Sequence, residues 1–245
     1  MNNRDFLKAG SWTGGQTEPS DQKKGVPMPD VFKAYQGYDL IDLPKVEDLN
    51  FQEKGFLDLV KDRRSRRQYM DGKMSQEVLS YLLFTNSGIT DVRGKSFLRA
   101  YPSGGNRQTF ETYLAIRSVE GLEAGIYRYI PQEHSLIFLK PVDNLATKLV
   151  DACLGQKWVN EACVSFIWTS LPYRGEWRYQ ERSHKVILLD AGHLCQNLYL
   201  ACEALGNLGT CAIGAYDQDK MDHLIDVDGQ DEYVIYLSPV GQVAE

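Results

Sequence analysis

Apolar positions recur at helical spacing in three stretches of the chain and fall into short strand-like runs in five others. Between residues 51 and 68, Phe56, Leu59 and Val60 predict a helix leading into a run of cations. Ser75 is placed to cap a second helix. Glu77 in its first turn favours the helix dipole, and Val78, Leu79, Leu82 and Leu83 give it an apolar face. The longest helical pattern runs from about Arg182 to Leu205. There Leu194, Leu198, Ala201 or Cys202, and Leu205 share a stripe, and Gly206 supplies a stop. Strands are predicted at "TYLAI" (112–116), "GIYRYI" (125–130), "SLIFL" (135–139), "CVSFIWT" (163–169) and "YVIYL" (233–237). The second and third read as a hairpin looped by Pro131 to His134, and Pro239 is expected to end the last. Strands mixed with helices, a hairpin among them, predict an α+β fold. Residues 1–50 are rich in Gly, Pro and polar residues and read as an irregular arm over a single domain spanning 51–245.

Composition narrows the function classes. A chain of 245 residues, 43% apolar, can bury a core without staples. With 27 Lys plus Arg against 33 Asp plus Glu, the net charge of −6 argues against a general nucleic-acid binder. Five cysteines, odd in number and without a C-x-x-C pair, read as reduced buried thiols rather than a disulfide frame or a zinc site. No apolar run approaches the roughly 18–20 residues needed to cross a bilayer. Arg4 stands without a second arginine in "NRDFLKAG", and the polar stretch after it has no apolar segment. An export signal is therefore not expected, and the expected location is cytoplasmic.

Against this acidic background "KDRRSRRQYM" (61–70) is conspicuous. Arg presents a planar fork that matches phosphate oxygens and stays charged, and a Ser hydroxyl adds a donor. Helical spacing would bring Arg63 and Arg67 together while Arg66 turns elsewhere. A phosphate site and a solvated basic helix end both fit the charges. "YPSGGNRQ" (101–108) makes a tight turn whose backbone can approach a ligand, or a plain turn before a strand. "LGNLGTCAIGAY" (205–216) ends a helix and continues as an uncharged, glycine-containing segment. It could face a flat aromatic ligand or be a buried strand or loop. Walker, G-x-G-x-x-G, G-x-S-x-G and H-E-x-x-H patterns are absent, and the four histidines lack metal-ligand spacing.

Together these segments resemble the FMN-dependent nitroreductase superfamily. They are most similar to its branch related to the SagB-type thiazoline and oxazoline dehydrogenases, over about residues 55 to 241. The matching motifs are the R-R-S-x-R pattern at Arg63, Arg64, Ser65 and Arg67, "PSGGN" at 102–106, "ILLDAGHLCQNLYLACEALGNLGTCAIGAYD" at 187–217 and "SPVG" at 238–241. "SDQKKGVPMP" also resembles the leader of single-domain members.

The resemblance implies a mixed, largely antiparallel sheet flanked by helices, and a homodimer with FMN at its interface. It implies that Arg63, Arg64, Ser65 and Arg67 hold the phosphate. Pro102, Ser103, Gly104, Gly105 and Asn106 would line the ring from the other subunit, and Ile213 and Gly214 would lie near flavin N5. Two departures stand out. No Lys or Arg follows Lys220, where many members place a further phosphate ligand. The branch's Lys-Tyr pair is here Arg178-Tyr179, in which Tyr179 could act as acid or base and Arg178 is a poor base. Arg178 and Arg182 could equally pair with Glu176 and Glu181. The expected activity passes a hydride or electrons through FMN, from NADH or NADPH to a small acceptor. The alternatives are a dehydrogenase of azoline or other peptide-derived rings and a flavin-binding protein without turnover.

Overall fold

A computed structural model describes residues 3–9, 12, 18–94 and 96–244. Part of the predicted arm and of the segment weighed as an export signal (1–2, 10–11 and 13–17) lies outside the described residues. The fold is α+β. Seven strands form one sheet: β1 (Leu40–Asp42), β4 (Phe110–Ile116), β5 (Gly125–Ile130), β6 (Ser135–Lys140), β7 (Val164–Ser170), β8 (Leu208–Thr210) and β9 (Tyr233–Gln242). Their order is β1-β6-β5-β4-β7-β9-β8, and each ladder is antiparallel. β2 (Ile89–Arg93) and β3 (Ser96–Arg99) form a separate hairpin.

Side chains alternate between the two faces of a strand, and both faces are covered here. Phe166 and Trp168 of β7 join a core with α3 (Gln76–Ser87) and α6 (Ser183–Leu205). Ile167 between them joins a second core with α4 (Leu145–Ala152) and α7 (Gln218–Ile225). The remaining helices are α1 (Asp21–Lys24), α2 (Phe56–Asp62) and α5 (Tyr173–Tyr179). The predicted caps form as expected. Ser75 Oγ accepts from Val78 N–H, and Gly206 closes α6 at φ 80°.

Three segments depart from the sequence reading. The helix expected over 51–68 is only α2, and residues 63–70 are irregular. Phe56, Leu57 and Val60 face outward at 71%, 65% and 54% exposure, so little packing supports a longer helix. Continuing it would also stack like charges on one face. Second, β9 runs through Pro239 rather than stopping there. The Pro239 carbonyl accepts from Thr210 Oγ1 and Tyr69 Oη, on the side where the backbone pairing with β8 has already ended at Thr210–Val240. A backbone N–H is therefore not needed at Pro239. Third, residues 40–42 of the arm are an edge strand on β6, and Leu43 is buried in the main core.

The five cysteines are free and buried. Burial pushes the thiols of Cys153 and Cys195 up to about 12, so neither is a thiolate near neutrality.

Candidate functional site

The cation run leaves α2 at Arg63, whose φ of −51° and ψ of 122° are extended. Beyond it the side chains part as in an extended chain, not as on a helix. Arg63 stacks its guanidinium over the Tyr199 ring at 5.4 Å, and Ser65 Oγ lies 3.1 Å from Tyr199 Oη. Arg67 stacks over Trp158 at 5.9 Å. Arg66 turns to the other side, as expected, and pairs at 3.2 Å with Glu203, a buried carboxylate that also holds Lys54 at 2.8 Å. Arg64 folds back on α2 and donates to the carbonyls of Lys61 and Arg63. Among the described residues Arg66 alone of these four arginines has a carboxylate partner. Arg63, Arg64 and Arg67 are uncompensated charges on one short segment.

That segment lies directly against "TCAIG". Arg66 N–H donates to the Thr210 carbonyl, and Ala212 N–H donates to Tyr199 Oη at 2.9 Å, the same hydroxyl that meets Ser65. Burial pushes the Tyr199 phenol above its ordinary value, so it stays protonated between Ser65 and Ala212. Ile213 and Gly214 differ. Ile213 is buried, and its N–H is committed to the Leu237 carbonyl at 2.8 Å. Gly214 is exposed, and its N–H takes no acceptor among the described residues.

The glycine turn sits elsewhere on α6. Gly104 N–H donates to both carboxylate oxygens of buried Asp190, at 3.0 and 3.2 Å. Ser103 Oγ accepts from Gln108 N–H, and Asn106 Oδ1 accepts from Gln108 Nε2. Both glycines are required by contact: a Cβ on Gly104 would strike Val186, and one on Gly105, at φ +62°, would strike the Tyr179 hydroxyl. Tyr179 thus stands on the turn with Pro102 exposed beside it. Arg178 stacks over the Tyr179 ring at 5.2 Å, and Arg107 stacks over Trp177 at 5.4 Å while its Nε donates to the Gly105 carbonyl. Glu176, weighed as a partner of Arg178, is instead bonded to His184 at 2.6 Å.

The sequence-derived candidates therefore form two groups on one helix. The first gathers 63–67 with 212–214 around Tyr199, and the second gathers 102–106 with 178–179 around Asp190. Nine residues of α6 separate those anchors, about 13 Å of helical rise. Asp190, Tyr199 and Arg107 escaped the sequence reading. Asp190 had a signal, because it stands at i−4 and i−8 to Leu194 and Leu198, a charge on an apolar stripe.

Burial holds the Asp190 carboxyl above the usual carboxylate range, against the opposing hydrogen bonds from Gly104 and Ser103. The folded chain then binds that proton more tightly than the unfolded chain. Its contribution to stability is full below the unfolded carboxyl's range and is lost as pH rises through the raised value. Asp190→Asn keeps an acceptor for Gly104 and cannot ionise. Between about pH 4 and pH 8 its Tm should fall less than that of the native chain. Parallel Tm curves across that range would contradict this account.

An antiparallel sheet between two helical layers, carrying two polar clusters along its longest helix, defines an α+β protein. The nitroreductase family model matches residues 60–242, and the chain belongs to the nitroreductase family, a family of oxidoreductases. It is 31% identical over 205 residues to MJ1384 of Methanocaldococcus jannaschii, whose name places it among the nitroreductases; the match covers 84% of this chain and 97% of that protein. It is 30% identical over 146 residues to the trifolitoxin-processing protein TfxB of Rhizobium leguminosarum bv. trifolii, covering 56% of this chain and 39% of TfxB. A crystal structure from Anabaena variabilis, named as a nitroreductase, superimposes with a TM-score of 0.65 at 30% identity, over 76% of this chain and 38% of that one. The chain thus spans nearly all of MJ1384 but about two-fifths of TfxB and of the Anabaena protein. Among the described residues no helix is long and apolar enough to cross a membrane.

Proposed function

We propose that the chain is an FMN-dependent oxidoreductase acting as a homodimer, with residues 51–245 as its flavin-binding domain and 1–50 as an arm over it. One observation carries the reading. Three arginines without carboxylate partners among the described residues share a segment whose Ser65 meets Tyr199, and Tyr199 in turn holds Ala212, two residues before the exposed Gly214. The donor set fits a phosphate monoester: guanidinium forks from Arg63 and Arg67 with the Ser65 hydroxyl between them. Arg64 adds charge while it caps α2. Gly214 fits the edge of a planar ring, because it has an open face and an unused N–H, whereas Ile213 supports it from the sheet.

FMN, when bound, supplies the hydride chemistry. The chain's residues anchor its phosphate, offer Gly214 N–H to its ring and close the ring's other side with Pro102 to Asn106. The 13 Å between the two groups on α6 favours supply of that second wall by the other subunit. Exposed Leu188 and Leu189 on α6, at 50% and 55%, offer apolar surface for that contact. Tyr179, on Gly105, is placed to hold or move a proton at its Oη, and NADH or NADPH would serve as donor to a small acceptor.

Purified protein is expected to be yellow and dimeric, and the apoprotein to bind FMN far better than riboflavin, measured by quenching of flavin fluorescence. A colourless protein with no preference for the phosphate would refute the reading. A second reading, oxidation of a peptide-derived ring, is favoured by the likeness to TfxB and by the Tyr179–Gly105 contact. Anaerobic NADH and NADPH separate the two, since bleaching of the flavin supports the reductase and its absence supports the dehydrogenase. Bound flavin that passes electrons to no acceptor would instead mark a carrier without turnover.

A further inference from the structure

We infer that Arg107 and Arg178 form a substrate-anion subsite at the glycine turn, which selects substrates bearing a carboxylate or phosphate. The assignment rests on the flavin reading above, because it makes this turn a wall of the substrate space. Its own support is local. Arg107 is half-buried, fixed by the Gly105 carbonyl through Nε and by the Trp177 face, which leaves its two terminal nitrogens for a ligand. Arg178 is exposed and laid on the Tyr179 ring, whose hydroxyl touches the same glycine. Neither has a carboxylate partner among the described residues, and Glu176, the acid two residues before Arg178, is taken by His184. The two guanidiniums are close enough that, after burial, the charge of Arg178 is the next cause pulling the Arg107 pKa below its ordinary value. Two cations held on stacked aromatic supports beside the same glycine are relieved by an anion. Arginine forks on rigid supports suit carboxylate and phosphate geometry better than a lysine would. This gives Arg178 the role of an anion-binding fork, in place of the base that a lysine could be.

The anion could belong to the acceptor or to the donor. The test uses the flavin-loaded protein, with flavin occupancy recorded for every variant. Calorimetric titrations with 4-nitrobenzoate and the neutral 4-nitrobenzamide address an acceptor. The ratio of KM for NADH to KM for NADPH addresses a donor phosphate. The native protein should favour the anion in one of these pairs by tenfold or more. Arg107→Met and Arg178→Met should each erase most of that preference, since a charge-assisted hydrogen bond contributes about a factor of ten. Arg178→Lys should restore part of it, which a purely structural role would not predict. Equal binding of charged and neutral partners in both pairs, or preferences untouched by the Met variants, would overturn the subsite. Loss of flavin from the Met variants would also overturn it, by assigning these arginines to the cofactor. A native protein that holds no flavin would instead count against the flavin reading, and the benzoate–benzamide comparison would still report on the subsite.

Discussion

Arg67→Ala is expected to weaken FMN binding by tenfold to a hundredfold while leaving the thermal stability of the apoprotein unchanged. Arg67 is exposed, rests on the Trp158 ring and meets no carboxylate among the described residues, so its removal breaks no packed contact of consequence. What it removes is a guanidinium aimed at the proposed phosphate position, and charge-assisted hydrogen bonds of that kind contribute about a factor of ten or more each. The chain has no Lys or Arg after Lys220 to compensate, and Gln242 in that region is turned to the Lys73 carbonyl. Arg67→Lys should recover only part of the affinity, because a point charge lacks the fork and the stacking face. Arg66→Ala is the informative contrast. It strips one of two cations from buried Glu203, so it should lower Tm but leave the affinity of the folded protein nearly intact. Fluorescence titration of apoprotein with FMN checks all three. If Arg66→Ala loses the flavin and Arg67→Ala keeps it, the phosphate lies on the other side of this segment.

The contrast between Arg66 and Arg67 also shows where sequence reading reaches its limit. A dense cation run in an acidic chain fits an anion site or a solvated helix end by composition alone. Which of its members serve that site depends on whether the backbone is helical or extended, and that was decided by Thr210, 144 positions away, which draws the Arg66 amide to itself. The same division holds for the fold. α3 and α6 were legible because Ser75, Gly206 and the apolar stripes are local signals. β1 and the continuation of β9 past Pro239 were not. Three residues at a sheet edge and a proline inside a strand are stable only because neighbours from distant sequence complete them. Tyr199 and Asp190 lay in plain view within the longest helix, yet their importance comes from what packs on them, Ser65 and Gly104.

Arg174→Met should cost about 3–5 kcal/mol, the usual loss when one partner of a buried ion pair is removed. For a chain of this size that corresponds to a fall in Tm of about 10 °C. Arg174 and Glu111 are each 4% exposed and 2.7 Å apart. The guanidinium also donates to the Asp30 carbonyl at 2.9 Å and the Gln108 carbonyl at 3.1 Å, so one side chain joins the arm, the exit of the glycine turn and β4. Without it Glu111 keeps, among the described residues, only the Lys33 amide, and an uncompensated carboxylate is left in the core. The destabilisation should therefore be relieved in part by also making Glu111→Leu, which removes the stranded charge. The loosening of the arm should not be relieved, because the Gln108 and Asp30 carbonyls still lack their donor. Differential scanning calorimetry of the single and double variants measures the first effect. Limited proteolysis near residues 26–34 measures the second, and cleavage should stay fast in both variants. A double variant with native protease resistance would show that the arm is held by its other contacts, Lys33 with Glu232 and Trp177 with the Val26 carbonyl.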